Sequence, residues 1–261
     1  MSLFDILENR ASVRSFREDP LTDDQVAALL HAAERAPTAG NLQDYSIVLV
    51  TDPDLKATLA ELCWRQPFIK KAPLFMIFNI DQHRSSRWIE RYGGRKVFDG
   101  PTGFARSFMD LGIASENVVL AAEALGLGSV YVAIVAGAAK SIRRLLGYPP
   151  LVVPVLGLCA GVPEKRPQPK PRLPLRAIMH QNRYQDFSDE EIDRIYSARE
   201  SEWQQSNPRG LAVPGGRTVT SLSQWTTLAH YGGDIVTQWD KEFMEAICDA
   251  GFKFRLGEMG E

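Results

Sequence analysis

A chain of 261 residues with a formal net charge of -2 has no overall basic field that would hold nucleic acid or an anionic membrane surface. Its 44% hydrophobic and 24% charged residues are typical of one large globular domain, or of a domain with an appendage. The three cysteines, Cys63, Cys159 and Cys248, match neither a disulfide framework nor a metal site, and we expect reduced, buried thiols.

The first residues lack a basic segment followed by an apolar core, so no secretory signal is predicted. The one long apolar run, 118–139, contains Glu123 and is broken by glycines at 126 and 128. It therefore predicts a buried helix followed by a buried strand instead of a membrane span. We expect a cytoplasmic protein.

Two arginines bracket a serine close to the amino terminus. Arg10 and Arg14 offer planar, permanently charged donors, and the Ser12 hydroxyl can share the same phosphate or carbonyl oxygen. This pattern indicates a local anion site. Two solvated arginines beside a helix cap would give the same sequence.

The next hundred residues alternate between helices and strands. Thr22 and Gln25 predict a capping box at the start of a helix that ends near Pro37. A small, polar loop over 36–43 can bring backbone donors close to a ligand, or can simply connect helix to strand. The remaining segments are listed in order: strand 46–51, helix 52–62, strand 72–81 buried on both faces, and a polar, mobile insertion or lid over 82–102.

The second half begins with a helix that is apolar nearly all the way round, which we expect to be central to the fold. A proline-rich run over 163–174 must be extended and presents four basic residues. Ser188 and Glu191 predict a second capping box. The predicted segments are helix 104–125, strand 130–135, helix 138–146, strand 151–162, helix 188–203, loop 204–220 and helix 234–250.

Several catalytic classes are disfavoured. The glycines at 126 and 128 lie between a helix and a strand, the reverse of a dinucleotide fingerprint. No histidine stands beside an obvious nucleophile and carboxylate, and no metal ligands are predicted. The remaining cationic donors suit a phosphorylated, carbonyl-bearing planar ligand that brings its own chemistry, so no catalytic side chain is assigned.

Five short motifs follow one another along the chain. In order, they are Arg10-Ala-Ser-Val-Arg14-Ser-Phe16, Ala36-Pro-Thr-Ala-Gly-Asn-Leu-Gln43, Gly126-Leu-Gly-Ser-Val-Tyr131, Gly157-Leu-Cys-Ala-Gly161 and Lys170-Pro-Arg-Leu-Pro174. In order and spacing, these motifs resemble the FMN-dependent nitroreductase family. The branch that the chain resembles most contains the oxygen-insensitive, NADPH-preferring nitroreductases and flavin reductases.

The resemblance implies an α+β fold, with a mixed sheet surrounded by helices in an intertwined homodimer and FMN at the dimer interface. Residues 1–200 would form the FMN-binding nitroreductase domain. Residues 201–261 would be an extension that packs on the partner subunit. This fold replaces the α/β arrangement that strand-helix alternation alone would suggest.

The resemblance also implies site residues. Arg10, Ser12 and Arg172 would bind the FMN phosphate, with Ala11 offering only its backbone, and Arg14 and Lys170 would reach the ribityl chain and pyrimidine edge. The flavin ring would be held by Gln66 and by the loop Thr38, Ala39, Gly40 and Asn41. Its other face or edge would be approached by Gly128, Ser129, Val130 and Tyr131.

The implied activity is ping-pong electron transfer from NADPH or NADH through FMN to a small-molecule acceptor such as a nitroaromatic, quinone or flavin. Arg209 and Arg217 are the only candidates in the tail for gripping an NADPH 2'-phosphate, so the donor preference stays open. Alternatives are reductive dehalogenation or flavin cleavage on the same cofactor, a non-catalytic flavin carrier, or an anion-binding domain without flavin.

Overall fold

A computed structural model describes residues 2–213, 216–232 and 234–254. The chain divides into two compact units, Met1–Pro169 with Trp239–Glu261, and Lys170–Gln238. The helices are α1 (Leu3–Asn9), α2 (Asp23–Glu34), α3 (Pro53–Leu62), α4 (Pro67–Lys71), α5 (His83–Arg91), α6 (Pro101–Ala124), α7 (Ile134–Gly137), α8 (Ala139–Leu146), α9 (Asp189–Ser206), α10 (Leu222–Trp225) and α11 (Ile235–Asp249). The strands are β1 (Tyr45–Val50), β2 (Leu74–Asp81), β3 (Gly128–Val132), β4 (Val152–Gly161), β5 (Leu211–Val213) and β6 (Arg217–Val219).

The first unit is built on a four-stranded sheet in the order β1-β2-β4-β3, in which every neighbouring pair is antiparallel. A single parallel bridge joins Ser12 to Ser129 on β3. The register of β2 on β4 shifts between Phe78 and Asn79. The α+β class is thus confirmed, and the α/β arrangement suggested by strand-helix alternation is wrong because the connecting helices return the chain in antiparallel sense.

Strand β2 is the centre of the hydrophobic core. Alternate side chains point to opposite faces of the sheet, so Met76 and Phe78 pack against α2 and α6, whereas Phe75 and Ile77 pack in a second cluster with α3 and α4. All four are fully buried. Burial of such a side chain contributes about 1.5–3 kcal/mol, which explains why this strand is apolar on both faces as predicted.

Helix α6 lies on one face of the sheet and is only partly enclosed. Leu111 and Val118 are buried, but Phe108, Met109 and Ile113 are 48%, 60% and 43% exposed. The prediction of a central helix is therefore confirmed for its inner face and wrong for its outer one.

Local sequence signals located most helix ends. The capping boxes at Thr22–Gln25 and Ser188–Glu191 are both present. Two loop predictions are wrong in part, since α5 occupies His83–Arg91 and the hairpin β5-β6 lies within 204–220. Helix α5 was missed because its buried face is made of small polar residues, Ser85 and Ser86.

The thiol prediction holds for Cys63 and Cys159, which are free and buried. It is wrong for Cys248, which is free and exposed because the buried residues Ala246 and Ile247 occupy the inner face at that end of α11. Over residues 2–213, 216–232 and 234–254, no helix combines the length and apolarity needed to cross a bilayer.

Candidate functional site

The segment after α1 lies along the free edge of strand β3. The Arg10 N–H donates to Ile6 O at 2.9 Å and ends α1, and the Val13 N–H donates to Ser129 O at 2.9 Å. Val13 is buried, and a Cβ added to Gly128 would lie 2.5 Å from its Cγ2. Glycine at 128 therefore permits the close approach that brings residues 10–13 and 128–131 together.

Arg10 is half-buried, and its Nε is buried without a hydrogen-bond partner in the described part of the chain. Its charge acts on Tyr131, whose pKa is raised mainly by burial and lowered slightly by Arg10. The Tyr131 hydroxyl donates to Glu116 Oε2 at 3.0 Å and lies 3.2 Å from Ser115 Oγ. An unsatisfied guanidinium N–H beside a fixed, neutral phenol is suited to binding an anionic oxygen.

Arg14 is exposed and forms no ion pair or hydrogen bond within residues 2–213, 216–232 and 234–254. Its neighbour Ser15 donates instead to the Glu164 carboxylate. The Arg14 guanidinium is thus exposed to solvent, while the Ser15 hydroxyl is already engaged.

The loop 38–43 is bent by three residues with positive φ: Gly40 at 60°, Asn41 at 53° and Gln43 at 52°. Only glycine adopts this region without cost, so the loop needs support. Thr38 is half-buried, and its Oγ1 is a buried atom without a partner in the described residues. Such an atom is a ready donor or acceptor for a ligand.

Two charged residues of α6, which the sequence analysis missed, hold the ends of this loop. Asp110 Oδ1 accepts a hydrogen bond from Ala39 N at 3.0 Å, and Arg106 pairs with the buried Asp44 carboxylate at 2.5 Å. Burial raises the pKa of Asp110, opposed by the Ala39 N–H and Arg106. In the sequence, Arg106 and Asp110 could be recognised only as two charged residues four positions apart on an otherwise apolar helix face.

Gln66 caps the start of α4 with its backbone and is half-buried. It follows two residues with positive φ, Trp64 at 62° and Arg65 at 52°, and its N–H donates to Ala60 O at 3.2 Å. The edge of the Trp64 ring contacts Trp239, with centroids 4.9 Å apart. This hydrogen bond and this ring contact hold the turn at residues 64–66, whose conformation was not predicted from the sequence.

Lys170 and Arg172 lie in the second unit. Lys170 is exposed and pairs with Glu202 at 2.7 Å, whereas Arg172 is exposed without a partner among the described residues. Arg209 and Arg217 are also exposed, the latter at the start of β6. No group of three His, Cys, Asp or Glu side chains that would hold a metal ion occurs in the part of the chain that the structure describes.

Curated proteins with similar sequences are flavin-related reductases by name. The chain is 33% identical over 184 residues to the FMN reductase (NADPH) of Bacillus subtilis. The aligned region covers 70% of this chain and 74% of that protein. It is 32% identical over 208 residues to the oxygen-insensitive NADPH nitroreductase of Salmonella typhimurium, covering 76% and 83% respectively.

Solved structures have the same fold. The NfrA1 nitroreductase of Bacillus subtilis matches with a TM-score of 0.83 at 26% identity, over 94% of this chain and 98% of that one. The NADPH:FMN oxidoreductase of Vibrio harveyi, complexed with NAD+, matches with a TM-score of 0.76 at 27% identity, over 92% and 97%. The model of the nitroreductase family matches residues 7–162, and we conclude that the chain belongs to that family.

Proposed function

We propose that this protein is an FMN-dependent oxidoreductase that takes electrons from NADPH or NADH and passes them to nitroaromatics, quinones or flavins. The observation that carries the proposal is the buried Nε of Arg10, which has no hydrogen-bond partner among the described residues and lies in the segment whose motif resembles the family's phosphate site. Relatives named as FMN and NADPH reductases support the same assignment.

The residues present fit the cofactor. A phosphate needs several N–H and O–H donors, which Arg10 and Ser12 supply beside β3, and Arg172 would add a third. Thr38 Oγ1, which has no partner in the described part of the chain, and the bent backbone at Gly40 suit the polar edge of a planar ring. The remaining residues proposed to hold the cofactor are Ala11, Arg14, Ala39, Asn41, Gln66, Gly128, Ser129, Val130, Tyr131 and Lys170.

When bound, FMN would supply the two-electron chemistry. The chain itself would bind the phosphate through Arg10 and Ser12 and hold the ring through the loop supported by Asp110. Arg14 and Lys170 would place positive charge at the pyrimidine edge, where negative charge is stabilised. Lys170 must first leave its exposed pair with Glu202, which costs little because exposed pairs contribute about 0–1 kcal/mol.

The partner of this chain would be a second copy. Six apolar side chains of α1 and α6 are exposed to water in the single chain, and a second copy would bury them. They are Leu3, Phe4, Leu7, Phe108, Met109 and Ile113. In this proposal residues 1–200 form the cofactor-binding domain and residues 201–261 pack on the partner subunit.

The test is to purify the full chain and measure FMN per protomer and steady-state turnover. The proposal predicts a yellow protein that oxidises NADPH or NADH in the presence of a nitroaromatic or a quinone. Turnover of a halophenol alone would favour reductive dehalogenation, and a flavin-free protein that FMN does not bind would favour an anion-binding domain.

A further inference from the structure

The serine that directly follows Arg14 joins two distant segments of the first unit. The Ser15 hydroxyl donates to the Glu164 carboxylate, and the Glu164 N–H donates to Ser15 O at 3.1 Å. The two residues are 149 positions apart in the sequence. Each of them therefore uses both its side chain and its backbone in one reciprocal pair of hydrogen bonds, which we call the Ser15–Glu164 clip.

The backbone on both sides of Arg14 is anchored to the ends of two strands. The Val13 N–H donates to Ser129 O on β3 at 2.9 Å, and the Arg17 N–H donates to Val162 O, just after β4, also at 2.9 Å. The segment between these two hydrogen bonds contains the clip. Arg14 thus lies in a short stretch of backbone that is fixed at each end.

Two buried side chains in this stretch leave Arg14 and Ser15 on the outside. Val13 and Phe16 are 1% and 2% exposed and belong to the core cluster on the α3 and α4 side of the sheet. Phe16 also forms an antiparallel bridge with Pro163. Arg14 and Ser15, which lie between the two buried residues, are both exposed.

The clip restrains the residue next to Arg14. The Arg14 side chain forms no ion pair or hydrogen bond within residues 2–213, 216–232 and 234–254, so its direction depends on the backbone that carries it. A fixed backbone reduces the conformational entropy that is lost when a ligand orders a long side chain. The clip therefore favours a preformed binding position for Arg14.

We propose that Ser15 is a positioning residue for the cofactor, which holds Arg14 at the pyrimidine edge of bound FMN through the clip to Glu164. This inference rests on the proposed function, in which Arg14 places positive charge at that edge. The hydroxyl proton of Ser15 is already donated to Glu164, so Ser15 acts through Arg14 and does not itself donate to the cofactor.

The experiment measures the Kd for FMN and the midpoint potential of the bound flavin in the full chain. S15A should raise the Kd about three- to tenfold, because one hydrogen bond of the clip is lost. S15A should also lower the midpoint potential, as R14A does, because less positive charge then stabilises the reduced flavin. S15T keeps a hydroxyl and should restore both values.

The double variant R14A/S15A tests whether Ser15 acts through Arg14. It should bind FMN as R14A does, since the clip has no further effect once the guanidinium is gone. S15A leaves the charge of Glu164 in place, so its effect does not arise from a changed net charge.

The matched control is T22A, which also removes an exposed hydroxyl from the first unit. Thr22 Oγ1 accepts a hydrogen bond from Gln25 N at 3.2 Å and caps α2. T22A should therefore lower the free energy of unfolding, because the helix loses its cap. Its Kd for FMN and its midpoint potential should equal those of the wild type.

Three outcomes would overturn this inference alone. They are wild-type values for S15A while R14A changes both, losses of FMN affinity that add in full in R14A/S15A, and a T22A effect on FMN equal to that of S15A. If the wild type binds no FMN, the proposed function fails and the inference fails with it. If R14A binds FMN like the wild type, the role of Arg14 fails, and so does the role of Ser15.

Discussion

The carboxylate of Asp110 accepts a hydrogen bond from the backbone N–H of Ala39, with the two atoms 3.0 Å apart. One turn earlier on α6, Arg106 holds Asp44. Helix α6 thus supports both ends of a loop that contains three residues with positive φ. Asp110 and Arg106 thus act on the loop through Ala39 and Asp44, and we infer that they position it.

Removing the Asp110 acceptor should loosen the loop. Asp110→Ala should lower the free energy of unfolding by about 0.5–1.5 kcal/mol and speed amide exchange at Ala39, because the part-buried hydrogen bond to the Ala39 N–H is lost. Asp110→Asn keeps an acceptor oxygen and should recover most of both effects. Hydrogen exchange on the flavin-free protein measures this directly, and identical exchange at Ala39 in Asp110→Ala and wild type would contradict the role.

Arg10 and Arg14 should each contribute to FMN affinity. Replacing either by Ala should raise the Kd for FMN about 10- to 100-fold, because a charge-assisted hydrogen bond is lost. Arg17→Ala is the control, since Arg17 is exposed and pairs with Asp19. Fluorescence titration of flavin-depleted protein gives the three constants. Arg14→Ala with the same Kd as Arg17→Ala would show that Arg14 is a solvated surface arginine.

Gly128 should tolerate no side chain. Gly128→Ala places a methyl group 2.5 Å from Val13 Cγ2, and we expect it to lower the free energy of unfolding by about 1–3 kcal/mol. Adding Val13→Ala makes room, so the double variant should lose less than the sum of the single losses. Chemical denaturation of the four proteins measures the coupling, and strictly additive losses would mean that the two residues do not clash.

Arg166 should stabilise the end of α6. Its guanidinium pairs with the buried Glu123 at 2.6 Å and also donates to Gly126 O and Leu127 O at 3.0 and 2.9 Å. Arg166→Met should cost about 1–3 kcal/mol because a buried carboxylate loses its partner. The neighbouring Lys165→Met is exposed and serves as the control. A smaller loss for Arg166→Met than for Lys165→Met would refute the assignment.

Local signals made much of the fold predictable. The capping boxes depend on residues three apart, and β2 was recognisable because apolar residues filled both faces. The antiparallel pairing was not predictable from such signals, since helix-separated strands usually run parallel. The family resemblance supplied the α+β class and a mixed sheet, and the antiparallel pairing of every neighbouring strand came only from the structure.

The residues that hold the loop of the candidate site, Asp110 and Arg106, could not be predicted from sequence patterns. Asp110 and Ala39 are 71 positions apart, and Arg106 and Asp44 are 62 apart. No periodicity links such pairs. Arg10 and Ser12 were recognisable as donors, but their place beside β3 depends on the backbone bond from Val13 to Ser129, which only the fold reveals.

The central claim is that this chain carries out electron transfer from a nicotinamide nucleotide through bound FMN. Anaerobic mixing of the FMN-loaded protein with NADPH, followed by visible absorbance, tests it most directly. The account predicts that the yellow flavin absorbance is lost and returns when a quinone is added. A flavin that stays yellow with both NADPH and NADH would contradict it and would identify a flavin-binding protein without turnover.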